Sequence, residues 1–169
     1  MRRGAALIVC LLMLLATGCR QTTPAAEPVG SGFTCRIHAD YKDIDVEGTL
    51  VRQTAGTLKL TFSAPESLAG MTAVWDGEAV ELQMSGMSFS VDAATVPEGA
   101  LGEEIVAVLD AAIRGDGERT QEDGKLIVRG SGHNGAYELV CDAKTGVPLS
   151  LSVPSIPLAV TFSNFKQTE

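Results

Sequence analysis

Three of the four cysteines, two histidines and a short series of acids are the residues of this 169-residue chain whose types could do chemistry. Cys19 closes Leu14-Leu15-Ala16-Thr17-Gly18-Cys19, and a thiol behind small residues can serve as an acylation site. Cys35 and Cys141 lie far apart in the rest of the chain and could be bonded to each other. His38 stands between Arg36 and Asp40, and His133 lies in Gly132-His133-Asn134-Gly135. Asp43, Asp45 and Glu47 alternate, so on one strand they would point the same way and could hold a cation. A solvated strand face is the simpler reading of both His38 and the three carboxylates. No Ser stands in Gly-x-Ser-x-Gly, and no glycine-rich loop precedes Lys-Ser/Thr to cradle phosphate. Cys35, His38 and Cys141 lack zinc-ligand spacing. Nothing assembles a nucleophile, a base and an orienting group. The chain reads as a non-enzyme without cofactor or metal.

Cys19 draws its meaning from what precedes it. Arg2 and Arg3 form a cationic start, and Ala5 to Ala16 is uncharged. That core fits the ~7–15 residues of an export signal and is short of the ~20 that span a bilayer. The segment resembles the lipobox of bacterial lipoproteins, with Ala16 where the pattern prefers Leu. The resemblance implies a signal at 1–18, a diacylglyceryl group on Cys19, and anchoring to the cell membrane on its extracytoplasmic side. An ordinary secretory signal, leaving Cys19 a free thiol, is the other reading. Outside the cytoplasm, the pair Cys35 and Cys141 is expected to form a disulfide, with two separately buried thiols as the alternative.

Loss of Arg2 and Arg3 from the 13 basic residues, set against 21 acidic ones, leaves a balance of −10. Such a surface repels nucleic acid and anionic headgroups, and no basic patch with interleaved aromatics offsets it. Residues 19–32 read as the anchor and a tether rich in Thr, Pro, Ala and Gly. Residues 33–165 form one domain's worth of chain, and 166–169 a tail.

From Phe33 the apolar residues alternate, which is the signature of half-buried strands. Phe33 to Tyr41, Ile44 to Leu50 and Leu58 to Phe62 make three strands in meander. Ala64 to Gly70 interrupts as a loop, whose Leu68 either tucks beneath it or meets a membrane. Met71 to Trp75, Val80 to Met84 and Met87 to Val91 continue the meander, with Asp76-Gly77 as a two-residue hairpin turn. The period then changes to 3.6. Leu101, Ile105, Val108, Leu109 and Ala112 share a stripe, while Glu103, Glu104 and Asp110 face away. Pro97-Glu98 opens this helix and Gly115-Asp116-Gly117 ends it. Five more strands follow, near 119–122, 125–129, 137–141, 149–153 and 158–162, with Gly130 to Gly135 as a loop. The chain is therefore mainly β, a curved antiparallel sheet with one principal helix on its concave apolar face.

That order of elements on a lipid-anchored chain resembles the LolA/LolB-like lipoprotein-carrier superfamily. The pieces that carry the likeness are Val46-Glu47-Gly48-Thr49-Leu50, Pro65-Glu66-Ser67-Leu68-Ala69-Gly70, and Gly146-Val147-Pro148-Leu149 leading into Val160-Thr161-Phe162-Ser163. The resemblance implies an incomplete barrel whose hollow takes acyl chains. Ile37, Val46, Leu60, Trp75, Leu82 and Phe89 are expected to line that hollow beneath the helix. This chain has fewer aromatics than the soluble carriers and is read as anchored, which favours a receptor or stationary partner over a shuttle. Two functions follow. One is a lipid-binding module with a continuous hollow. The other is an envelope or spore-associated interaction protein, with a filled core and an exposed apolar patch.

Overall fold

The computed structural model describes residues 26–30, 32–97 and 99–168. The expected signal, its cleavage site and Cys19 lie outside the described residues.

Alternation becomes structure directly in β1 (Phe33–Tyr41), where Phe33, Cys35, Ile37 and Ala39 are buried and Arg36, His38 and Asp40 exposed. β2 (Ile44–Arg52), β3 (Leu58–Ala64), β4 (Thr72–Trp75), β5 (Ala79–Met84) and β6 (Met87–Asp92) complete the first meander. A 3₁₀ turn (Ala93–Thr95) and helix α1 (Leu101–Arg114) follow. The second meander is β7 (Glu118–Glu122), β8 (Lys125–Gly132), β9 (Gly135–Asp142), β10 (Pro148–Val153) and β11 (Leu158–Gln167).

Among the described residues eleven strands form one antiparallel sheet, in the order β6-β5-β4-β3-β2-β1-β11-β10-β9-β8-β7. The last strand returns beside the first, joining the two meanders from Phe33–Gln167 to Tyr41–Leu158. Register shifts in β1–β11, β2–β3 and β9–β10 mark bulges, which bend strands and add twist. The result is a curved sheet with a buried concave face and a polar convex one.

Helix α1 lies across that concave face. Its N-terminal part meets β3 and β4, and it also packs on β8 and β9, so it bridges the two meanders. Leu101, Ile105, Val108, Leu109 and Ala112 are buried, as their stripe requires. Gly115 stops the helix at φ 88, and the Asp116 N–H returns to the Ala111 carbonyl at 2.9 Å.

Several local expectations are corrected. The helix starts at Leu101 rather than at Pro97, after the 3₁₀ turn capped by Asp92. The hairpin loop after β4 is Gly77-Glu78. Asp76 lies one residue before it, because its carboxylate accepts the N–H groups of Glu78 and Ala79 at 2.9 and 2.7 Å. Residues 130–132 belong to β8, and only His133 and Asn134 turn. Both ends of the domain are also longer than read. Lys166 and Gln167 belong to β11, and the Ala26 and Val29 N–H groups bond to Ala143 and Gly146 carbonyls at 2.8 and 3.0 Å. Glu27 pairs with Arg119 at 2.5 Å, so the end of the expected tether is held against the domain.

Candidate functional site

The helix is shorter than the trough it covers, and its N-terminal end leaves a space over the β4–β6 wing. That hollow has a volume of about 360 Å³. Its floor is Phe62, Ala73, Trp75, Val80, Leu82 and Val91 from neighbouring strands. Met71 contributes from just before β4, and Leu101 and Gly102 from the first turn of the helix. The remaining wall is Thr95, Val96, Pro97 and Ala100, from the connection between β6 and the helix.

Each part is held by a local device. Asp92 accepts the Ala94 N–H at 2.8 Å and fixes the 3₁₀ turn. The Tyr41 hydroxyl donates to the Gly99 carbonyl at 2.7 Å and pins the far end of the wall. Gly102 lies flush on the Trp75 ring, and a Cβ there would collide with the indole. Absence of a side chain at one helical position thus sets where the tryptophan stands.

The opposite end of the helix is fastened by charge. Arg52 is 0% exposed and has the same strand parity as Val46 and Leu50. Its guanidinium pairs with Asp110 and donates to the Gly30 carbonyl. Asp110 also accepts the Gly56 N–H at 3.1 Å. One carboxylate therefore ties α1 to β2 and to the β2–β3 turn. Expectation placed Asp110 and Glu104 on the outer face. Instead Asp110 faces Arg52, and Glu104 is 6% exposed and accepts a hydrogen bond from Asn134.

The expected lining residues separate into three groups. Trp75 and Leu82 line the hollow. Ile37, Val46 and Leu60 lie instead in the filled core with Ile105, because the helix stripe occupies the centre of the trough. Phe89 has the right face but lies past the cover, and is 58% exposed. It forms a lip with Met87, which is 70% exposed, and with Met84. Leu68 packs partly buried against the core, the tucked alternative.

Cys35 and Cys141 are free buried thiols, which corrects the expected disulfide. Three strand intervals separate β1 from β9. At ~4.8 Å each, that is roughly 14 Å along the sheet, against the ~7 Å limit between bridged Cα atoms. Burial pushes both thiols up to about 12, so neither is a nucleophile near neutral pH. Asp43 leaves the expected carboxylate row because it occupies the β1–β2 turn at φ 65. His38 lies on the convex face, 3.9 Å from Asp45 and 3.8 Å from Glu47. Among the described residues, no group of three His, Cys, Asp or Glu is placed to hold a metal.

A second hollow, also about 360 Å³, runs between α1 and the β8–β9 hairpin. Its lining is mixed, with His133, Glu104, Asp110, Arg114 and Asp116 set among Val108, Ala111, Tyr137 and Val153. Asp110 is engaged by Arg52, Glu104 by Asn134, and Arg114 by Asp116 at 3.0 Å. The apolar hollow is therefore the better candidate for a small ligand.

No family model matches the chain, and no curated protein matches it. Solved structures do. One is an uncharacterized conserved protein from Thermus thermophilus, with a TM-score of 0.50 and 13% identity over 83% of this chain and 81% of that one. Another is a LolA superfamily protein from Nitrosomonas europaea, with a TM-score of 0.45 and 11% identity over 85% and 89%. The likeness to the Thermus protein is one of fold alone.

Proposed function

We propose that this chain is a non-enzymatic, LolA-like binding lipoprotein of the cell envelope. It is held on the extracytoplasmic side by a lipid on Cys19 and takes an acyl chain or similar apolar ligand in the hollow over β4–β6. The observation that carries the reading is the hollow itself. Its volume lies within the ~300–1,000 Å³ typical of ligand sites, and its lining is almost wholly carbon. The lip of Met84, Met87 and Phe89 continues the apolar surface outward from Leu82 and Val91, so a chain longer than the hollow finds a greasy exit.

The anchor fits the same picture. Because Ala26 is already bound to the domain, about seven Cα–Cα steps separate it from Cys19, a reach of about 25 Å fully extended. A double-acyl anchor with so short a leash keeps the hollow near the bilayer that supplies such ligands. The exposed lip also supports a second reading, a docking surface for an envelope protein without any small ligand.

Native mass spectrometry on the chain purified gently from membranes tests the choice. A non-covalent lipid mass, lost in organic solvent and distinct from the covalent group on Cys19, is expected. A bare protein mass would overturn ligand binding and leave the docking reading.

A further inference from the structure

The sheet is open, so it has two outer strands, and they are built differently. β7 reads Glu118-Arg119-Thr120-Gln121-Glu122, a charged edge of the kind that discourages pairing. β6 reads Met87-Ser88-Phe89-Ser90-Val91-Asp92, uncharged until its last residue and without lysine or proline. All six of its residues are exposed.

The β5–β6 hairpin decides which backbone groups are free. Ser85 and Gly86 have φ 52 and 79, the two-residue turn whose flanking residues form a hydrogen-bonded pair. Met84–Met87 is that pair, and alternation makes Leu82–Phe89 and Val80–Val91 hydrogen-bonded as well. Ser88 and Ser90 therefore direct their N–H and C=O groups outward, as Asp92 does its N–H, while the Asp92 carbonyl accepts the Thr95 hydroxyl at 2.7 Å. Among the described residues no strand receives them.

We propose that β6 is the pairing edge for a second copy of this chain, joined antiparallel about a twofold axis at Phe89. The strand is its own complement in that register. Ser88 meets Ser90 as the hydrogen-bonded pairs, Met87 meets Val91, and Phe89 meets Phe89 as a non-hydrogen-bonded pair with close side chains. Asp92 falls opposite Gly86, so no like charges are opposed. That absence matters in a chain with a formal charge of −8. The pairing covers the exposed Phe89 and Met87 and sets the two apolar hollows edge to edge. One strand pair with its flanking side chains falls short of the ~1,200–2,000 Å² buried in stable interfaces. The dimer is accordingly reversible, and favoured where anchoring concentrates the chain. The proposal rests on strand geometry and is independent of ligand binding.

The test is cross-linking of the full-length chain in intact cells. A non-hydrogen-bonded antiparallel pair sets Cα atoms ~4.5 Å apart, within disulfide range. Phe89→Cys is expected to give a reducible dimer on mild oxidation, above the background of the parent chain. Thr120→Cys on β7 is expected to give none. Ser90→Pro removes an outward N–H while sparing the bonds to β5, and added to Phe89→Cys it is expected to lower the dimer about tenfold. Ser88→Lys, on an exposed position, provides the same block without a backbone change. Circular dichroism of these variants separates a lost contact from a lost fold. No dimer from Phe89→Cys, or a dimer unaffected by both blocking changes in folded protein, overturns the proposal. So does a cross-linked band of another mass, which would assign the edge to a different protein.

Discussion

At the residue scale, burial decides what each side chain can do. Cys35 and Cys141 look available in sequence, yet the apolar core around them holds both as neutral thiols. Their pKa is raised by burial from an ordinary 9.0 to about 12, so the unfolded chain loses these protons at lower pH than the folded one. Stability from this source is therefore intact below about pH 9 and is lost as pH rises toward 12. Chemical denaturation at stepped alkaline pH should show that decline, and Cys35→Ala/Cys141→Ala should flatten it. The same thiols should resist a maleimide at about pH 8 in native protein and react on unfolding. Rapid native labelling at both positions would contradict their placement. Trp75 shows the complementary principle. It is the only tryptophan in the chain, and Gly102 lets the helix backbone rest on its ring.

At the element scale, helix α1 is the part that turns a curved sheet into a container. Its apolar stripe fills the middle of the trough, and the Arg52–Asp110 pair fastens its later turns. Removing one member of a buried pair strands the other, at a cost of about 3–5 kcal/mol. Asp110→Ala is expected to lose that much in urea unfolding. Arg52→Met with Asp110→Leu should recover much of it, since an apolar pair leaves no charge unpaired. A loss below about 1 kcal/mol for Asp110→Ala would mean that the pair is an ordinary surface contact. The elements themselves were legible in the sequence. Period-two alternation placed β1 to β6 within a residue or two, and Leu101 to Ala112 announced the helix. Arg52 was not legible, because an arginine after Leu50 reads as the end of a strand. Its partner lies 58 residues away, and only the fold brings them together. Phe89 failed for a related reason. Parity assigns a residue to a face, but whether anything covers that face depends on where the helix ends. The cysteines shared a parity too, and parity cannot count the strands between β1 and β9.

At the scale of the whole molecule, the two meanders close on β1 and β11 and leave a filled centre with an open wing. The wing is where apolar surface is least covered, in the hollow over β4–β6 and along the lip of β6. The proposed binding and the proposed pairing both draw on this one region, while the convex face stays polar. The central claim is that the hollow accepts an apolar chain, and titration of Trp75 fluorescence with a long-chain fatty acid tests it most directly. A saturable change in emission is expected, because Trp75 forms part of the hollow's wall. Leu82→Arg, which sets a charge among the carbon lining, is expected to weaken the response at least about tenfold while the protein stays folded. An unresponsive tryptophan, or an equal response in both proteins, would contradict the claim.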